Sequence, residues 1–142
     1  MKRYYTIPLD AKKLINNERH QTCTLNESIA HHIHLLTTSY FGECTFDESF
    51  GCGIWDIDFD NLKSTQKLGG LIKDSLLDSL KIHEMRLSSI VVEVKIKQEE
   101  LSLRVDDNII KKRVDIRVFG TVRKTNEAFS YTEYFYIGPL SY

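Results

Sequence analysis

Three histidines, His31, His32 and His34, crowd one short stretch of the chain, with Cys23 and Cys44 on either side. On a helix His31 and His34 share a face, so a metal site is the first chemistry to weigh. Zinc ligands usually come in close pairs such as CxxC or HxxxH. Here only Cys44 and Cys52 are near each other, and they stand eight positions apart. The histidines therefore read as surface or interface residues, and no metal is expected.

Gly51-Cys52-Gly53 copies the opening of a dinucleotide fingerprint. Its third glycine position falls on Asp56, whose charge repels a pyrophosphate, and no strand-to-helix pattern follows. These glycines are expected to serve turns, and no cofactor is implied. Glycoside hydrolysis needs two carboxylates about 5–10 Å apart, one with a raised pKa. Glu27, Glu43, Asp47, Glu48, Asp56, Asp58 and Glu84 offer many pairs, but no spacing singles one out. Carboxylates in such a loop are commonly turn formers and caps. Serines are plentiful, yet none sits in a G-x-S-x-G elbow. No catalytic residue is assigned. Glu84 and Arg86 remain, flanking Met85; on residue type alone they are a cap or a solvated pair worth under about 1 kcal/mol.

The elements that must position these residues follow from periodicity. Residues 1–20 read as an extended arm with Tyr4, Tyr5, Ile7 and Leu9, leading into a short helix. Thr24-Leu25-Asn26-Glu27 fits a capping box and starts the first long helix. Leu25, Ile29, Ile33, Leu36 and Tyr40 repeat along it at helical spacing, with Leu35 widening the stripe and Gly42 placed to cap its end. Residues 42–60 read as a structured loop with a short extended piece at Ile54–Phe59. A second helix spans Ser64 to His83, with Leu68, Leu71, Ile72, Leu76 and Leu80 on one face. Gly69-Gly70 inside it costs about 1 kcal/mol per glycine relative to alanine, which fits a close backbone crossing.

After Arg86 the period becomes two. Ile90, Val92, Val94 and Ile96 predict one strand, Leu101, Leu103 and Val105 a second, and Val114, Ile116 and Val118 a third. Phe129 to Ile137 predicts a last, aromatic strand, ended by Gly138-Pro139. Short polar connections imply antiparallel hairpins. The expected fold is a single α+β domain of two or three helices packed against one mainly antiparallel sheet.

Bulk properties narrow the classes further. The 142 residues carry 19 basic and 20 acidic side chains, a net charge of −1, which leaves no electrostatic footprint for nucleic acid. Apolar runs are too short for a membrane span or signal segment, so a cytoplasmic protein without direct membrane insertion is expected.

The run from Ser28-Ile29 through Leu35-Leu36-Thr37-Thr38 to Gly42-Glu43 resembles the signature of the baseplate wedge family. That family is known from contractile phage tails and type VI secretion systems, where the subunit is called TssE. An acidic loop follows in the family order: Phe46-Asp47, Phe50-Gly51, then Trp55-Asp56. The family's Glu-Pro-Arg landmark has its counterpart in Glu84-Met85-Arg86, with the charges kept and the proline replaced. The resemblance covers residues 24–137.

It implies a wedge domain over 24–142, preceded by an extension over 1–23, and a structural rather than enzymatic role despite the family's inherited lysozyme-like label. It implies docking on wedge proteins of the TssF/TssG type through Glu84 and Arg86. It also implies that the terminal strands start a sheath of TssB/TssC-like subunits. Phe129, Tyr131, Tyr134 and Tyr136 are the residues expected to give that strand its specificity, although such alternation equally suits a sheet packed on its own helices. A phage-tail or extracellular injection baseplate, or a regulatory binding module on the same fold, are the alternatives.

Overall fold

A helix starts where side chains can take up its unpaired N–H groups, and Thr24 does this twice. The Glu27 N–H donates to Thr24 Oγ1 at 3.3 Å while the Thr24 N–H donates to the Glu27 carboxylate at 2.8 Å, a complete capping box. A computed structural model describes residues 3–39, 41–53, 65–102 and 108–137. In chain order these form β1 (Tyr4–Tyr5), α1 (Ala11–Ile15), β2 (Thr22–Cys23), α2 (Leu25–Thr38), α3 (Thr65–His83), β3 (Leu87–Ser102), β4 (Asn108–Val122) and β5 (Glu127–Ile137).

The apolar stripes face one another. Ile29, Ile33 and Leu36 of α2 and Leu68, Ile72, Leu76 and Leu80 of α3 are wholly buried, together with Val92, Val114, Ile116, Val118 and Val122 of the sheet. Each such Leu, Ile or Val contributes roughly 1.5–3 kcal/mol by leaving water. β3, β4 and β5 form one antiparallel sheet in sequence order, and β1 pairs with β2 in a small second ladder through Tyr4↔Cys23 and Tyr5↔Thr22. The α+β architecture with a mainly antiparallel sheet is as expected.

Several details differ from the sequence reading. Leu35 and Leu71 turn outward, 38% and 42% exposed, so they do not extend the buried stripes. α2 ends at Thr38 with Ser39 as its cap, not Gly42, because the Cys52 N–H reaches back to the Ser39 carbonyl at 3.0 Å and draws the chain out of the helix. Gly42 adopts φ +83° and donates to the Glu48 carbonyl at 3.0 Å, closing the loop that follows. Leu101 belongs to β3, opposite Ile109, rather than to a separate strand. Among the described residues no backbone crosses Gly69-Gly70: a Cβ at Gly69 would first meet Ile96 Cδ1 at 3.9 Å, and one at Gly70 would meet nothing within 4 Å. Nothing in the structure explains a glycine at 70. Tyr40, Ser64, Ile54–Phe59, Leu103, Val105 and Gly138-Pro139 lie outside the described residues. Among the described residues, no helix is long and apolar enough to cross a membrane.

Candidate protein interface

α3 delivers Glu84 and β3 begins just after Arg86, so the junction fixes both side chains. The Glu84 N–H donates to the Leu80 carbonyl at 2.9 Å, and the Arg123 N–H donates to the Arg86 carbonyl at 2.9 Å. Glu84 is not a solvated residue: it is 1% exposed. Its Oε1 accepts from the Arg86 Nε at 2.8 Å and from the Arg86 backbone N–H at 3.2 Å. Its Oε2 accepts from Arg86 Nη2 at 2.9 Å and from His32 Nδ1 at 2.7 Å. Burial is the largest single influence and pushes the carboxyl up. The hydrogen bonds from His32 and Arg86, with the Arg86 charge, outweigh it and hold the pKa at about 2.

Arg86 is part-exposed and has further contacts. Its Nη1 donates to Ser28 Oγ at 2.9 Å, and its guanidinium carbon lies 5.8 Å from the centre of the Tyr4 ring. Around the junction, Phe50 lies between two histidine rings, 5.8 Å from His32 and 5.3 Å from His83. His83 Nε2 donates to the Ser49 carbonyl at 3.0 Å, tying the 41–53 loop to the end of α3.

The second group of expected site residues lies on β5, which forms one edge of the sheet; among the described residues it pairs only with β4. The aromatic side chains divide between its two faces. Phe129 is 6% exposed in the core, and Tyr131 packs against that core. Tyr134 and Tyr136 point away from it, 56% and 42% exposed, with their rings edge to face at 6.0 Å. The Arg113 guanidinium lies 4.2 Å from the Tyr134 ring centre. Tyr131 donates to Glu133 Oε2 at 3.3 Å, and Glu133 Oε1 accepts from His34 Nδ1.

Thus the structure sets the Glu84–Arg86 turn and the β5 aromatics in two places that α2 connects. His32 reaches the first and His34 the second. Two residues apart on a helix, they diverge by about 200° around its axis, which is why they cannot share a ligand. Among the described residues no group of three or more His, Cys, Asp or Glu is placed to hold a metal. Two carboxylates have local structural work: Glu27 in the capping box, and Asp47, which accepts from the Ser49 N–H at 3.0 Å and hydroxyl at 2.6 Å. Gly51, with φ +133°, accepts from the Ser79 hydroxyl, and the Gly53 N–H donates to Ser75 Oγ at 2.7 Å, so both glycines serve the loop.

Ser28, His32, His34, Glu133 and Tyr4 were not assigned to a site from sequence. The contacts that bring them to the two places span 52 or more positions, so only folding reveals them.

The frame is that of a small α+β domain, with β5 at an edge of the sheet and a buried carboxylate bracing an arginine at a helix–strand junction. The chain belongs to the family of baseplate wedge protein gp25, whose family model matches residues 23–127. That family is a structural component of phage-tail baseplates. A crystal structure at 1.44 Å of a protein from Geobacter sulfurreducens, provisionally described as a tail lysozyme, has a TM-score of 0.60 and 24% identity. The match covers 87% of this chain and 100% of that one, and the likeness is one of fold. No match was found among curated proteins.

Proposed function

We propose that the chain is a non-enzymatic baseplate subunit of a contractile injection system, TssE-like, working in the cytoplasm. Residues 24–142 serve as the wedge domain and 1–23 as an added arm. Glu84 and Arg86 mark the face that docks on TssF/TssG-like wedge proteins. β5 starts the sheath by pairing with a strand of a TssB/TssC-like subunit, with Tyr134 and Tyr136 giving side-chain contacts on the outer face.

The observation that carries this reading is the place of β5 at the edge of the sheet, where among the described residues it pairs with β4 alone. An edge strand presents unpaired N–H and C=O groups, and a partner strand can add to them by main-chain hydrogen bonds. Successive N–H groups of β5 alternate between β4 and the outer edge of the sheet. Thr132→Pro and Glu133→Pro therefore remove donors of opposite direction. In the variant that keeps a folded circular-dichroism spectrum, baseplates should assemble while sheaths fail to start. Sheaths of normal number and length in such cells would remove the case for strand pairing at β5.

The lysozyme label attached to a related fold is tested separately. The pure protein should not turn over peptidoglycan, because its buried carboxylate is ionised and enclosed rather than poised as an acid. Turnover that a single carboxylate substitution abolishes would overturn the non-enzymatic reading.

A further inference from the structure

The arm and the wedge domain meet at one guanidinium. An arginine has five N–H donors. Arg86 spends two on Glu84, through Nε and Nη2, and a third on Ser28 through Nη1. Two remain among the described residues, one on each terminal nitrogen, and the side chain is 31% exposed. Glu84 meanwhile accepts four hydrogen bonds and is 1% exposed, so it cannot itself touch a partner. Glu84 is a positioning residue, and Arg86 is the group left facing outward.

Tyr4 stands over that group from the arm, which precedes the family match at residue 23. Its strand, β1, is fixed beside β2 by the Tyr4↔Cys23 and Tyr5↔Thr22 pairs. Behind it, His20 locks the arm's loop. Its Nε2 accepts from the Asp10 N–H at 2.7 Å, and its Nδ1 donates to the Gln21 carbonyl at 2.9 Å. The ring is thus presented by a braced segment.

We propose that the arm and the domain together build a receptor for one carboxylate of the docking partner, with the two remaining N–H groups of Arg86 as its donors and Tyr4 as its aromatic wall. This rests on the docking role proposed for the 84–86 turn and names the chemistry that the turn accepts. A carboxylate supplies two in-plane acceptor oxygens, the complement of an arginine fork. A phosphate dianion fits less well, because Glu84 already offsets the charge of Arg86. The site selects by hydrogen-bond geometry rather than by a strong positive field.

The test uses the full chain labelled with 15N. Sodium acetate is titrated in, with acetamide and sodium chloride as controls, while the guanidinium resonances of Arg86 are followed. Acetate should give a saturable shift, in the guanidinium and in the backbone amides of residues 84–86, that neither control gives; in Arg86→Lys, which keeps the charge and loses the planar donors, the amide shifts should not saturate. Tyr4→Phe should bind acetate as the parent does, whereas Tyr4→Leu, which retains strand propensity, should bind roughly two- to fivefold more weakly. No saturation, or an equal response to acetamide, overturns the carboxylate site. Equal binding by Tyr4→Leu overturns the arm's part in it. Co-purification of Arg86→Lys with the wedge proteins is measured in parallel: if it is undiminished, the docking role fails, whatever acetate does.

Discussion

The Glu84 carboxylate is clasped from two sides, by Arg86 two residues along the chain and by His32 from α2. Arg86 and His32 are 31% and 25% exposed, Glu84 1%. Removing a carboxylate from such a cluster leaves a half-buried cation without its partner.

Glu84→Gln keeps the shape and removes the charge. It should cost about 2–3 kcal/mol at pH 7, below the usual cost of roughly 3–5 kcal/mol for breaking a fully buried pair because Arg86 keeps some solvent. Urea denaturation measures it. The folded-state pKa is about 2 against an ordinary 4.5, so the contribution is complete above pH 4.5 and is lost as pH falls through about 2. The gap between parent and variant should therefore close as the pH is lowered across that window. A variant as stable as the parent at pH 7 would contradict the clasp.

Gly53 should resist substitution because of one hydroxyl. A methyl group there would lie 2.6 Å from Ser75 Oγ, the acceptor for the Gly53 N–H. Gly53→Ala must push Ser75 aside and lose that bond, a loss of about 1–2 kcal/mol. In the double variant with Ser75→Ala the clash is gone, and the two effects should be clearly non-additive in thermal unfolding. Strict additivity would mean that the two residues do not meet.

Tyr131 should ionise late. Burial, the charge of Glu133 and the hydrogen bond to it all push the phenol well above the ordinary value of 10.0. Absorbance titration of the folded protein should show a late step that Tyr131→Phe removes and Glu133→Gln moves to lower pH. The raised pKa means that folding favours the neutral phenol, so this group's effect is absent below pH 10 and destabilises progressively above it. A Tyr131→Phe variant with an unchanged titration curve would place the late step elsewhere.

Much of the frame was legible because local rules and tertiary packing agree. The Thr24–Glu27 box, the spacing of Ile29, Ile33 and Leu36, and the alternation through Val114, Ile116 and Val118 each have a local cause and a buried partner. Legibility failed where pairing overrode pattern. β3 runs on through Gln98, Glu99 and Glu100, whose backbone pairs in register with Lys112, Lys111 and Ile110 of β4, although the apolar alternation stops at Ile96. Glu84 and Arg86 could be picked out by resemblance, but their roles could not be separated. That separation depends on His32, whose hydrogen bond to Glu84 spans 52 positions. The same holds for His34 and Glu133, which lie 99 positions apart.

The register of β5 against β4 also sets how the domain carries load. Eleven residue pairs, from Lys112↔Ile137 to Val122↔Glu127, hold the strand. The hydrogen bonds of an antiparallel ladder run across the strands. Tension along the axis of β5 therefore shears all of its bonds at once, whereas a pull perpendicular to it opens them one after another from an end. A neighbour drawing on β5 lengthwise meets the full resistance of the ladder, and one that peels it sideways meets a single rung at a time.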